Sequence, residues 1–209
     1  MKLVDRSVTD LLAAFRSSEP TPGGGSASAL AAAIGASLLA MVAAIPKPRA
    51  ATEEDLERLQ AAGARCAALS DDLTALVDRD SEAYDLVLSA YRRPNATDAE
   101  KAARTAAIQD ALKAAIAAPL SAMRASAAAI EQAVVVARYG SRSASSDVQV
   151  GIELLTAGLR GAKLNVAINL GGVRDAAYAE GVRREAAEFE RAAAHEADAA
   201  RAALARDSG

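Results

Sequence analysis

Residues 52–91, TEEDLERLQAAGARCAALSDDLTALVDRDSEAYDLVLSAY, carry one apolar stripe: Leu56, Leu59, Gly63, Cys66, Leu69, Leu73 and Leu76, in steps of three and four. Asp80, Tyr84, Val87 and Tyr91 continue the same register. That spacing lines one face of an α-helix and does not match the alternation of a strand. Thr52 opens the stretch as an N-cap, with Asp55 at the third following position as a variant capping box, and Pro94 stops it. About forty residues of helix reach ~60 Å at ~1.5 Å per residue. A chain of 209 residues built around such a rod is predicted to be all-α. The expected architecture is an elongated antiparallel bundle of about six helices, two of them very long, that dimerises.

The flanking sequence divides at its prolines and glycines. Thr97 and Glu100 form a second capping box, and helical pattern continues to about Tyr139 with a kink expected at Pro119. The polar turn GSRSASSD (140–147) leads to a helix from about Asp147 to Leu170, broken by Gly171 and Gly172. The last helix starts near Asp175 and is expected to fray from about residue 196, where Ala, Glu and Arg alternate. On the other side, an amphipathic helix from about Ser7 to Ser17 precedes the loop PTPGGGS (20–26). Ser26 is a natural N-cap for the apolar helix that follows to Ile45, ended by Pro46 and Pro48. Residues 1–209 read as a single domain.

Composition sets the manner of packing and excludes several functions. Fifty-seven residues are alanine, aromatics are 3% and there is no Trp, so the core must be Ala, Leu, Val and Ile at short helix–helix distances. Ala31, Gly35, Gly151, Gly158 and Gly161 would let the second and fifth helices approach closely, and a core this poor in large residues is expected to be completed by a homodimer. The net charge of -3 disfavours a broad nucleic-acid face. One cysteine, Cys66, excludes an internal disulfide, and the one histidine, His195, lies in the Ala/Glu-rich tail. No metal-ligand spacing appears and no tightly bound cofactor is expected, so chemistry must run on Asp, Glu, Lys, Arg, Asn, Ser or Tyr. Ser26–Ile45 is uncharged and long enough to cross a bilayer, but its Ala, Ser and Gly fit a central buried helix better. Charges at Lys2, Asp5, Arg6 and Asp10 leave no signal-peptide core, so a soluble cytoplasmic protein without a membrane partner is expected.

Three features could carry chemistry. Asp80 places a carboxylate on the apolar stripe, where it must be paired, protonated or open to a cleft; it is either a general acid/base or one half of a structural ion pair. Gly23, Gly24 and Gly25 before Ser26 form either a cradle for an anion at a helix N-terminus or a turn needed for close packing. Asn165 and Asn169 share one face of the fifth helix with Asp147 at its start. The two amides either read a polar heterocycle or satisfy backbone groups at a helix crossing, and Asp147 is either an acid/base group or an N-cap. Lys47, Arg49, Arg138 and Arg142 sit at helix ends, placed for a polyanion or simply solvated.

PTPGGGSASALAAAIGASLLAMVA (20–43), DRDSEAYDLVLSAYRRP (78–94), TDAEKAARTAAIQDALKAAIAAPL (97–120), SSD (145–147) and GAKLNVAINLGGVRD (161–175) resemble the cyclodeaminase/cyclohydrolase family over about residues 7–180. The resemblance implies an all-helical homodimer acting on a one-carbon tetrahydrofolate. Either 5-formiminotetrahydrofolate closes with loss of ammonia, or 5,10-methenyl- and 10-formyltetrahydrofolate interconvert. It carries over Gly23, Gly24, Gly25, Asp80, Asp147, Asn165, Asn169 and Asp175. Asp80 would then move the proton, with Asp147 as orienting or second acid/base group. The glycine loop with Ser26 and Lys47 would hold anionic parts of the ligand, and Asn165 and Asn169 would meet the heterocycle. The chain departs from the family pattern at AAIPKPRA (43–50), which keeps Lys47 and Arg49, and at GSRSASSD. A non-catalytic folate- or anion-binding dimer, and an enzyme with a non-folate substrate, are the alternatives.

Overall fold

A computed structural model describes residues 2–46 and 48–205. The described residues form six α-helices and no strand: α1 (Val8–Phe15), α2 (Gly24–Ala44), α3 (Glu53–Tyr91), α4 (Asp98–Tyr139), α5 (Ser145–Leu170) and α6 (Ala176–Ala205). Short 3-10 turns precede α1 and α5. Helices α3 and α4 are the two long rods. Thr52 caps α3 by accepting from the Asp55 amide, and Thr97 with Glu100 makes the complete reciprocal box at α4. α4 continues as one helix through Pro119.

The helices α2, α3, α4 and α5 each pack on the next, and α5 packs back on α2, closing a four-helix ring; α6 lies outside it against α4 and α5. Neighbours in the ring run antiparallel, as short connections require. Small residues set the spacing between α2 and α5. A methyl group on Gly35 would stand 2.7 Å from the Gly151 carbonyl oxygen, and one on Gly158 would stand 2.6 Å from the Ser28 carbonyl oxygen. These atoms belong to backbones, which cannot yield as a side chain does, so glycine is required at this crossing. On the other flank of α2, a methyl on Gly63 would stand 2.7 Å from Ala43 Cβ.

Three expectations are corrected. Ser26 is not the N-cap of α2: the helix starts at Gly24 after Gly23, and Ser26 is fully buried inside its first turn, donating its hydroxyl to the Val77 carbonyl at 2.8 Å. α5 begins at Ser145, so Asp147 lies within its first turn rather than at its start. The tail does not fray at residue 196. Ala193, Ala197, Ala200 and Leu204 bury a stripe, and Arg201 bridges Asp198 and Glu153 of α5, so packing holds the helix to Ala205. The far end of the α3 stripe also leaves the core, with Tyr84 and Tyr91 exposed. Cys66 is buried and His195 is exposed beside Glu196, as the sequence implied. α2 is long and apolar enough to cross a membrane by length and composition, and here it sits between α3, α4 and α5.

Candidate active site

The first N–H groups of a helix have no partner within it and usually take one from the capping side chain. Gly23 has no side chain to offer, and α2 has no side-chain cap of its own. Asp80 fills that place from α3. Its carboxylate lies directly on Gly25, where an added methyl group would overlap Asp80 Oδ1 and Cγ and stand 2.5 Å from Oδ2. The Ser26 hydroxyl lies 3.3 Å from Oδ2 and is also within 3.1 Å of the Ser81 hydroxyl. Glycine at residue 25 is therefore a matter of space: it lets a carboxylate reach the end of a neighbouring helix.

The electrostatics of Asp80 follow from that position. Burial pushes its pKa above the ordinary carboxylate range, while hydrogen bonds from the Ser26 hydroxyl and backbone pull it down without cancelling the shift. A carboxylate whose pKa is raised is a stronger proton acceptor than a solvated one, which suits a general base.

Asp80 opens onto a cavity of about 340 Å³. Pro20, Thr21 and the three glycines form one wall, Asp80 and Tyr84 of α3 a second, and Asn165, Ile168 and Asn169 of α5 a third, with Ala115 of α4 behind. The two amides are fixed rather than free. Asn165 donates Nδ2–H to the Gly161 carbonyl at 2.9 Å, and Asn169 donates to the Ala115 carbonyl at 3.1 Å. Another groove of about 250 Å³, between α3 and α4, has Arg65, Arg79 and Arg124 around an aliphatic floor and lacks a buried carboxylate.

The fold thus brings Gly23, Gly24, Gly25, Ser26, Asp80, Asn165 and Asn169 together at one end of the bundle. Asp147 is not among them: 18 residues of α5 separate it from Asn165, or ~27 Å of helix, at the opposite end. Arg49 is at that end too, with Nε donating to the Gly140 carbonyl at 3.0 Å. Lys47 lies outside the described residues. Asp175 does not line the cavity. It accepts from Lys113 Nζ at 2.8 Å and caps α6 through the Tyr178 amide at 3.0 Å, and both bonds hold its pKa below the usual range. Tyr84 was legible only as a core residue, because its register on the α3 stripe gives no sign that α5 leaves a gap opposite it. Among the described residues, no group of three His, Cys, Asp or Glu side chains is placed to hold a metal ion.

Comparison with known proteins fits this geometry. The sequence profile of the formiminotransferase-cyclodeaminase family matches residues 7–188. The chain is 40% identical over 179 residues to the methenyltetrahydrofolate cyclohydrolase of Methylorubrum extorquens, covering 84% of this chain and 85% of that protein. It is 36% identical over 167 residues to the formimidoyltransferase-cyclodeaminase of Sus scrofa and 33% identical over 181 residues to that of Rattus norvegicus. Those two matches cover 78% and 87% of this chain but only 30% and 34% of the mammalian proteins, so the chain spans about a third of their length. In fold it is similar to the crystal structure of formiminotetrahydrofolate cyclodeaminase from Thermotoga maritima, with a TM-score of 0.81, 24% identity and 98% of both chains covered. The profile match over most of the chain and the 40% identity to the cyclohydrolase establish that the chain belongs to the formiminotransferase-cyclodeaminase family.

Proposed function

We propose that the protein is a folate one-carbon enzyme that hydrolyses 5,10-methenyltetrahydrofolate, with Asp80 as the proton-transfer group. The observation that carries the reading is the Asp80 carboxylate, half-buried against Gly25 and Ser26 and open to a cavity lined by two amides. Water adds to the methenyl carbon as Asp80 accepts one of its protons. The bond from that carbon to N5 then breaks as a proton reaches N5, leaving the 10-formyl product. Of the two protons of the water, one ends on N5 and one leaves to solvent. The cationic methenyl group is itself drawn to an ionised carboxylate. A relative named as a cyclohydrolase matched over most of both chains favours this reaction over formimino closure with loss of ammonia, which is the second reading and uses the same carboxylate to move protons.

The protein works as a homodimer through the outer face of α2 and α5. α2 is uncharged throughout, and its outward side presents Ala31, Ile34, Leu38 and Met41. α5 adds Val150, Leu154, Ala157 and Leu164, while its Glu153 and Lys163 turn aside to pair with Arg201 and Glu190 of α6. Leu164 is 72% exposed in the single chain. An apolar face of this extent fits an isologous contact. With the two-fold axis crossing the helices near mid-length, the end of one protomer that bears Asp147 and Arg49 would meet the cavity end of its partner, where Asp147 would act as the second acid/base group.

The test is loss of methenyl absorbance from 5,10-methenyltetrahydrofolate with wild-type protein and Asp80→Asn. Acceleration by the wild type that Asp80→Asn abolishes supports the assignment, and equal turnover by both proteins refutes the role of Asp80. No acceleration by the wild type shifts the assignment to the formimino reaction, to a substrate that is not a folate, or to binding without turnover. Sedimentation of wild type and Ile34→Glu reads the dimer: a wild-type monomer would refute it.

A further inference from the structure

The cavity presents a recognition surface that the proton-transfer role of Asp80 does not use. Tyr84 follows Asp80 by one turn of α3, lines the same cavity and is 39% exposed, and its hydroxyl has no hydrogen-bond partner among the described residues. Across the gap, Ile168 of α5 is 77% exposed and lines the facing wall. An aromatic side chain from α3 and a branched aliphatic one from α5 thus line one cavity, a pairing suited to a flat ring between them.

The edge of that cavity is polar. The group that Asn165 turns toward Gly161, and that Asn169 turns toward Ala115, meets a carbonyl oxygen in each case. Carbonyl oxygens only accept, so the amide nitrogen must face them, and each Oδ1 is left without a partner among the described residues. Apart from Asp80, which is kept for proton transfer, the edge thus offers two free Oδ1 acceptors beside the remaining N–H of each amide. The two acceptors complement a ring whose edge carries N–H donors.

We propose that Tyr84 and Ile168 clamp the planar half of the ligand while the oxygens of Asn165 and Asn169 read its N–H edge, making Tyr84 a positioning and specificity residue. The ligand class is an amino-substituted, N–H-bearing heterocycle such as the aminopyrimidinone ring of a reduced pterin. This inference rests on the folate reading above. Tyr84 acts through the face of its ring, and its hydroxyl contributes nothing.

The probes are 5,10-methenyltetrahydrofolate for turnover and tetrahydrofolate for equilibrium binding, with wild type, Tyr84→Phe, Tyr84→Leu and Ile168→Ser. Tyr84→Leu is expected to weaken tetrahydrofolate binding about tenfold and to raise KM correspondingly while leaving kcat within about twofold. Tyr84→Phe is expected to keep wild-type affinity, and Ile168→Ser, on an exposed residue that folding does not depend on, to weaken binding in the same sense as Tyr84→Leu. Wild-type affinity in both Tyr84→Leu and Ile168→Ser would overturn the clamp and leave the folate reading standing. A Tyr84→Phe variant as impaired as Tyr84→Leu would overturn it too, by assigning the effect to the hydroxyl. A wild type that binds neither probe would overturn the folate reading and the clamp together. If Tyr84→Leu does not fold, Tyr84→Phe and Ile168→Ser still decide the matter.

Discussion

Adding one methyl group at Gly25 tests whether the Asp80 carboxylate is placed by the end of α2. In Gly25→Ala the new carbon would stand 2.5 Å from Asp80 Oδ2 and overlap the rest of the carboxylate, where ordinary contact begins at 3.4 Å. The carboxylate must retreat by about 1 Å, and its contact with the Ser26 hydroxyl, already 3.3 Å, is lost. Overpacking of this kind costs about 1–3 kcal/mol. For a domain of this size that lowers Tm by about 2–4 °C per kcal/mol. The catalytic effect should be larger, because a displacement of about 1 Å costs on the order of 100-fold in rate. The assay is methenyl absorbance decay, read beside a thermal melt. Gly181→Ala is the control: it lies inside α6 with nothing within 4 Å of the added carbon, and it should keep full activity with unchanged or slightly raised Tm. Gly25→Ala with wild-type turnover and wild-type Tm would refute the placement of Asp80 against α2.

Four further outcomes concern the ionisable groups Asp80, Asp175 and Cys66. Asp80 has a folded-state pKa raised by burial, so its contribution to stability is present at low pH and lost as pH rises through that value; Asp80→Asn should melt above wild type at neutral pH, with the gap closing in acid, and an Asn variant less stable than wild type at neutral pH would contradict this. Wild-type turnover should fall as pH is lowered through the same value, since the base must be ionised. Asp175 has the opposite sign, its pKa being lowered by Lys113 and the Tyr178 amide, so Asp175→Ala should lose stability at neutral pH but not in strong acid, with KM unchanged; a raised KM would place Asp175 in the binding site after all. Burial pushes the Cys66 thiol up to about 12, so labelling of this single thiol at neutral pH should proceed only at the rate of global opening, measured against denaturant, and rapid labelling of native protein would show α3 to be locally open.

The helices and their order were set locally. Thr52, Thr97 and Glu100 cap the helices that their own side chains predict, and prolines and glycine pairs end them, because capping and breaking act within a few residues of sequence. The stripe from Leu59 to Leu76 is buried for the same reason: periodicity of three and four faces any neighbour that covers it. Asp80 and the triple glycine were visible as anomalies, a charge on an apolar stripe and three residues without side chains before a helix. Their relation was not visible, since 54 residues separate Asp80 from Ser26 and only the antiparallel packing of α2 on α3 places one against the other. That packing made Asp80 the cap and left Ser26 as its hydrogen-bond partner. It also decided which candidates share a cavity, taking Asn165 and Asn169 into it, sending Asp147 to the far end of α5 and tying Asp175 to Lys113. Tyr84 came to light only there, because whether a residue on an apolar stripe meets a neighbour or an opening depends on where the facing helix runs, and local sequence does not encode that.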